Sequence, residues 1–280
     1  MASSGSTRKV AKVASKSGSS SSKRSSNWLF PAAIVLVVAL GVSIVMFARS
    51  KNSGYNGNST PPRAQLSQSS TAFDHWHAAF AIDICGEQLP PQTDAREDAL
   101  GIHTHGDGLI HIHPFSVQSA GKRATMQKFF DQVGLKVSDD RVTLPTEFNG
   151  SRTFESGVTT CGGKPAEWAL AHWKTAHEAV TGKPDKIYTS NFGGVRFTED
   201  LGAFTLAFVP KGTTDIPGPT SAKDIDVLGE CDGANPPPEC QQLLQQQQAA
   251  VTTVPDLSTA TAPATTAASG STATTTASGR

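Results

Sequence analysis

The chain has 280 residues, 24 Lys+Arg against 24 Asp+Glu, 37% apolar residues and only 7% aromatic ones. Its neutrality is the sum of unlike parts: residues 1–73 carry nine basic and no acidic side chains, whereas 74–240 carry 14 basic and 23 acidic. An acidic body excludes nucleic-acid binding by the folded part, which needs an excess of Lys and Arg, and this asymmetry fits a chain that works in two environments.

Residues 1–27 are rich in Ser, Gly and Lys with almost nothing apolar, which predicts a disordered basic cytoplasmic tail. Trp28 to Ala48 reads WLFPAAIVLVVALGVSIVMFA, 21 residues without a charge. At about 1.5 Å per residue a helix of that length matches the roughly 30 Å hydrocarbon core of a bilayer. The expectation is a transmembrane helix over 28–48, an uncleaved signal anchor in contact with lipid. Arg8, Lys9, Lys12, Lys16, Lys23 and Arg24 precede it, so the positive-inside rule puts the N-terminus in the cytoplasm and the rest on the extracytoplasmic side. Residues 49–73 read as a polar linker, 74–232 as the folded domain, and 233–280 as a Pro/Gln/Thr/Ala-rich disordered tail.

Within 74–232, His75–Cys85 and Leu89 flank Gly86-Glu87 as a strand, a tight turn and the start of a returning strand. Gly101–His113 carries a second hairpin around Gly106-Asp107-Gly108, ended by Pro114. Met126, Phe129, Phe130 and Val133 fall at helical spacing between Thr125 and Gly134. Arg141–Leu144, Lys186–Thr189 and Ala203–Val209 read as strands, while 167–180 fits both a strand followed by a loop, the preferred reading, and a helix. The fold class is α+β: one transmembrane helix plus an extracytoplasmic domain with a mixed or antiparallel sheet, to which a β-grasp-like arrangement is suited. Cys85, Cys161, Cys231 and Cys240 are even in number and suggest disulfides in an oxidising compartment. Cys231 and Cys240 are close in sequence and make a natural local pair, but three connectivities remain open.

Six of the eight histidines lie between residues 75 and 113, as three His-x-His units: His75/His77, His103/His105 and His111/His113. In a strand, residues i and i+2 project from one face, so each unit presents two imidazoles side by side. A three-residue loop over 106–108 would oppose His103 to His111 and gather both units on one face. A two-residue turn would point them to opposite faces. Neutral imidazole ligates Cu(II), Zn(II) and Ni(II), so these six histidines are the candidate metal ligands, with Asp74 and Asp107 as nearby carboxylates. His172 and His177 read as ordinary sheet or surface residues. The alternative is a set of imidazoles packed structurally without metal. No HExxH, GxSxG or paired glutamates accompany the cluster, so no residue stands out as nucleophile or base, and the balance leans away from an enzyme.

The stretches DHWHAAFAIDICGEQLPP, GIHTHGDGLIHIHPFS and TMQKFFDQVGL, over roughly 74–145, resemble a group of bacterial membrane-anchored extracytoplasmic proteins with an HWHA strand, an HTHxxGxIHIxP hairpin and an FF-containing helix. That resemblance implies a bacterial cell-membrane location and the same histidine constellation, and it lends no enzymatic activity. His113 stands where many of that group have an acidic residue. The expected function is a histidine-rich domain that binds a transition metal. The alternative is a non-catalytic cell-surface interaction module whose protein partner the sequence does not identify.

Overall fold

The structure, a computed structural model, describes residues 29–53, 60–68, 71–146, 151–231, 235–251 and 260–261. The predicted disorder of 1–27 lies outside these residues, as does most of the predicted tail beyond 251. Two units are distinguished, Met1–Gly54 and Tyr55–Arg280. In the first, helix α1 spans Leu29–Ser53. The transmembrane expectation for 28–48 is corrected here: among the described residues, no helix is long and apolar enough to cross a membrane. The expected location, a cell-membrane protein anchored by its N-terminus with the folded domain on the extracytoplasmic side, is therefore not supported.

The second unit is α+β with a mixed sheet. In chain order its elements are β1 (Trp76–Ile84), β2 (Glu87–Gln88), β3 (Ile102–His103), β4 (Leu109–Ile112), α2 (Met126–Gln132), β5 (Lys136–Val137), β6 (Arg141–Thr143) and β7 (Thr153–Glu155). They continue with β8 (Thr160–Cys161), β9 (Lys164–Trp173), α3 (Ala176–Thr181), β10 (Lys186–Tyr188), β11 (Gly202–Pro210), α4 (Ile225–Leu228), α5 (Glu239–Val251) and β12 (Ala260–Thr261). The large sheet runs β12-β8-β9-β11-β1-β4-β3, with β10 beside β9 and β2 beside β1, while β5, β6 and β7 form a small separate sheet. Only β1 and β11 run parallel among these pairs. They are the two nine-residue strands at the centre, both buried almost throughout, which is why their sequences read as near-continuous apolar runs.

Strand alternation gives the sheet two unlike faces. One carries Phe80, Ile82, Ile84, Leu206, Phe208 and Trp168, and packs with Met126, Phe129, Phe130 and Val133 of α2 in a single core. Phe80 meets Phe129 edge-on at 5.0 Å between ring centres. The other face is rich in alanine: Ala79, Ala169, Ala171, Ala203 and Ala207 pack with Ala176 and Ala179 of α3 and with Ile225 and Leu228 of α4. Short side chains on that face let the covering segments approach closely.

The ambiguous stretch 167–180 resolves into strand and then helix. Eight register pairs with β11 hold β9 extended. Thr175 then starts α3 through a capping box, its hydroxyl accepting from the Glu178 N–H and the Glu178 carboxylate accepting from its own N–H. A loop was expected after the strand; this cap makes it a helical turn. Glu239–Val251 is likewise helical where a disordered tail was expected. The disulfides are Cys85–Cys161 and Cys231–Cys240. The first ties the turn after β1 to β8, and the second links the end of α4 to the start of α5.

Candidate metal centre

Register across three strands assembles the histidines. Between β3 and β4 His103 lies opposite His111, and between β4 and β1 His111 lies opposite His77. The three form a row across the alanine-rich face, at the margin that α3 does not cover. The two-residue periodicity then carries His75, His105 and His113 to the same face. Gly101 makes the register attainable. It sits at φ +74°, its carbonyl accepts from the His113 N–H, and a Cβ there would lie 2.2 Å from the His113 carbonyl oxygen. The chain between the hairpin strands, 104–108, turns through Gly106 and Gly108, both at positive φ.

All six predicted ligands come together. Ring centres lie 4.9 Å apart for His75/His77 and His75/His113, and 4.8 Å for His77/His111 and His103/His105. His105/His111 are at 4.5 Å and His103/His113 at 4.7 Å, while His103 and His111 stack at 5.5 Å. The cluster is graded in exposure. His111 is fully buried, His77 and His103 nearly so, and His75 and His105 face solvent. An ion therefore has access from either exposed end. His172 is on the other face of the sheet, stacked on Phe204, and His177 is exposed on α3; neither joins the cluster.

Two carboxylates hold the inner rings. Asp107 Oδ2 is 2.8 Å from His111 Nε2, and Asp98 Oδ2 is 2.5 Å from His103 Nδ1. Burial pushes the Asp107 carboxyl up, but the hydrogen bond and charge of His111 and the Leu109 N–H outweigh it and hold the group below the usual carboxylate range. Asp98 is balanced the same way: burial raises it, and the Leu100 and Gly101 N–H groups with His103 bring it lower. An ionised carboxylate only accepts. In the neutral form the proton of His111 therefore lies on Nε2 and that of His103 on Nδ1, with the lone pair on the other nitrogen of each ring. His113 is pushed down to about 4 by burial and by neighbouring His103 and His75, so its imidazole is neutral near pH 7.

Three overlapping groups place their ligand atoms within 4.8 Å of one another: His75/His77/His111, His103/His105/His111 and Asp98/His103/His113. His103 Nε2 and His105 Nε2 stand only 3.3 Å apart. Ligand nitrogens at about 2.0–2.1 Å from a tetrahedral ion are separated by about 3.3–3.4 Å. Among the described residues, several histidine groups can thus hold a metal ion. None of the cavities described elsewhere in the molecule is lined by these histidines; one of ~160 Å³ lies between Phe80, Gln88 and Ser221.

Sequence reasoning missed Asp98. Its signal was local: Oδ1 accepts from Leu100 and Gly101, an Asx-type turn that the Asp-Ala-Leu-Gly run permits. It also missed Asp200, whose Oδ1 accepts from the His77 N–H. Asp74, expected near the histidines, pairs with Arg63 instead, with a nitrogen–oxygen distance of 2.8 Å. Cys85 and the other three cysteines are consumed by the disulfides and offer no thiolate. Compared with protein-family models, with curated proteins and with solved structures, the chain matches none.

Proposed function

We propose that this protein binds a divalent transition-metal cation, Zn(II), Cu(II) or Ni(II), at His103, His105 and His111, with Asp98 and Asp107 orienting the inner rings. One observation carries the reading. Two ligand nitrogens stand at the edge length of a metal tetrahedron while carboxylates occupy the opposite nitrogens of His103 and His111. A carboxylate behind a ligating imidazole sets its tautomer and raises its basicity, the usual support of a histidine metal site. Imidazole ligands suit these three ions, and among the described residues the ligand groups contain no thioether or thiolate, which disfavours Cu(I).

The test is a titration of the full chain with Zn(II), Cu(II) and Ni(II), read by calorimetry and by mass spectrometry of the intact protein. The expected affinity is tighter than about 10 μM for at least one ion; weaker binding for all three overturns the reading. His103→Ala with His111→Ala should abolish binding that His172→Ala leaves intact.

A second reading has its own support. The same two carboxylates satisfy His103 and His111 without any metal, as in a packed polar network of a non-catalytic interaction module. On that reading neither metal nor chelator shifts the thermal midpoint, because only a ligand of the folded state stabilises it.

A further inference from the structure

The three ligand groups are not independent, and their overlap has a consequence for how many ions the cluster holds. The central group, His103/His105/His111, takes His111 from one flanking group and His103 from the other. The two flanking groups, His75/His77/His111 and Asp98/His103/His113, share no residue. A neutral imidazole presents one lone pair to one ion at a time. We infer that the cluster has two mutually exclusive loading states: one ion held centrally, or two ions held in the flanking groups, with His103 and His111 turning from a common ion to separate ones. This rests on the metal-binding reading above and adds to it the stoichiometry and its dependence on metal supply.

Burial and chemistry favour this order of filling. The central group contains the two rings already held by carboxylates, so it is the better prepared for a first ion. In the two-ion state Asp98 moves from supporting His103 to being a ligand itself, and its negative charge offsets part of the repulsion between two cations. The flanking group at His75 is reached from solvent through an exposed ring, as the central group is through His105. A second ion can therefore arrive at one end while the first leaves the middle. The arrangement suits capture at low metal and storage at high metal within one hairpin-and-strand unit.

Two substitutions at exposed positions separate the states. His105→Ala removes a ligand from the central group only, and His75→Ala from one flanking group only. Neither side chain is part of the buried core, and circular dichroism of each variant checks the fold. The measurement is native mass spectrometry of the full chain in buffers of stepped free Zn(II). Wild type should show a one-ion species that gives way to a two-ion species. His105→Ala should weaken the first step by about tenfold or more and still reach two ions. His75→Ala should keep the first step unchanged and stop at one ion. Wild type that saturates at one ion, or a His75→Ala variant that still reaches two, overturns the two-state inference while leaving the single central site standing. A chain that takes up no Zn(II) at all overturns both.

Discussion

At the scale of single residues, the carboxylates behind the rings matter as much as the rings. Asp107 is almost wholly buried and accepts from both His111 and the Leu109 N–H. Asp107→Asn keeps its shape but removes the charge that sets the His111 tautomer. Zn(II) affinity measured by calorimetry should fall about 10–100-fold, and an unchanged affinity would show that the carboxylate plays no part in the site. Asp83 is a different case. It is fully buried on β1, accepts from the Gly86 N–H, and burial followed by Glu87 raises its pKa above the ordinary value. The folded chain thus holds the Asp83 proton more tightly than the unfolded one, and this group's contribution to stability grows as pH falls through the raised pKa toward 3.8. Asp83→Asn should raise the thermal midpoint more at high pH than at pH 4, because only the charged carboxylate is penalised by burial; the reverse order would contradict this.

Among the elements, the β3–β4 hairpin decides the site, and Gly101 decides the hairpin. Any side chain at 101 meets the His113 backbone, in a φ region that L-residues rarely adopt. Gly101→Ala should both destabilise the fold and lower metal affinity, whereas Gly157→Ala, also at positive φ but with open space around its Cβ, should lower stability alone. Chemical denaturation and metal titration of the pair separate the two effects. On the opposite face Phe129 is 1% exposed and packs on Phe80. Phe129→Ala should cost about 3–5 kcal/mol in denaturant unfolding, through the cavity left under α2.

For the domain as a whole, stability depends on a long covalent tie and on buried neutral imidazoles. Cys85 and Cys161 are 76 residues apart. Closing a loop of that length restricts the unfolded chain by about 4 kcal/mol, so Cys85→Ala with Cys161→Ala should lower the unfolding free energy by about that much. The short Cys231–Cys240 link, nine residues apart, should contribute less. His113 is held at about 4 and His172 is lowered by burial against the nearby charge of Glu199, both below the ordinary 6.5. Their folded pKa values are depressed, so the unfolded chain binds protons first as pH falls. The stability they contribute is complete above 6.5 and is lost as pH falls below it, down to about 4 for His113. The thermal midpoint of the metal-free chain should drop across that window, and a midpoint flat from pH 7 to 4.5 would contradict the burial of these rings in neutral form.

Much of this was legible in the order of residues because it depends on short-range geometry. His-x-His spacing in extended chain puts paired imidazoles on one face whatever the rest of the fold does, and the Met126–Val133 spacing predicts the helix that covers the aromatic face. The long apolar run of 28–48 was equally plain as composition, yet composition does not establish a span, and α1 among the described residues falls short of one. Register, by contrast, is a long-range property. A shift of one residue would have sent His111 to the opposite face, and the choice was made by Gly101 against His113 and by the pairing of β4 with β1. The partnership of Asp98 with His103, the meeting of His77 with His111 across strands more than thirty positions apart in the chain, and the overlap of three ligand groups exist only once the sheet has closed, because each joins segments whose nearness is a result of packing.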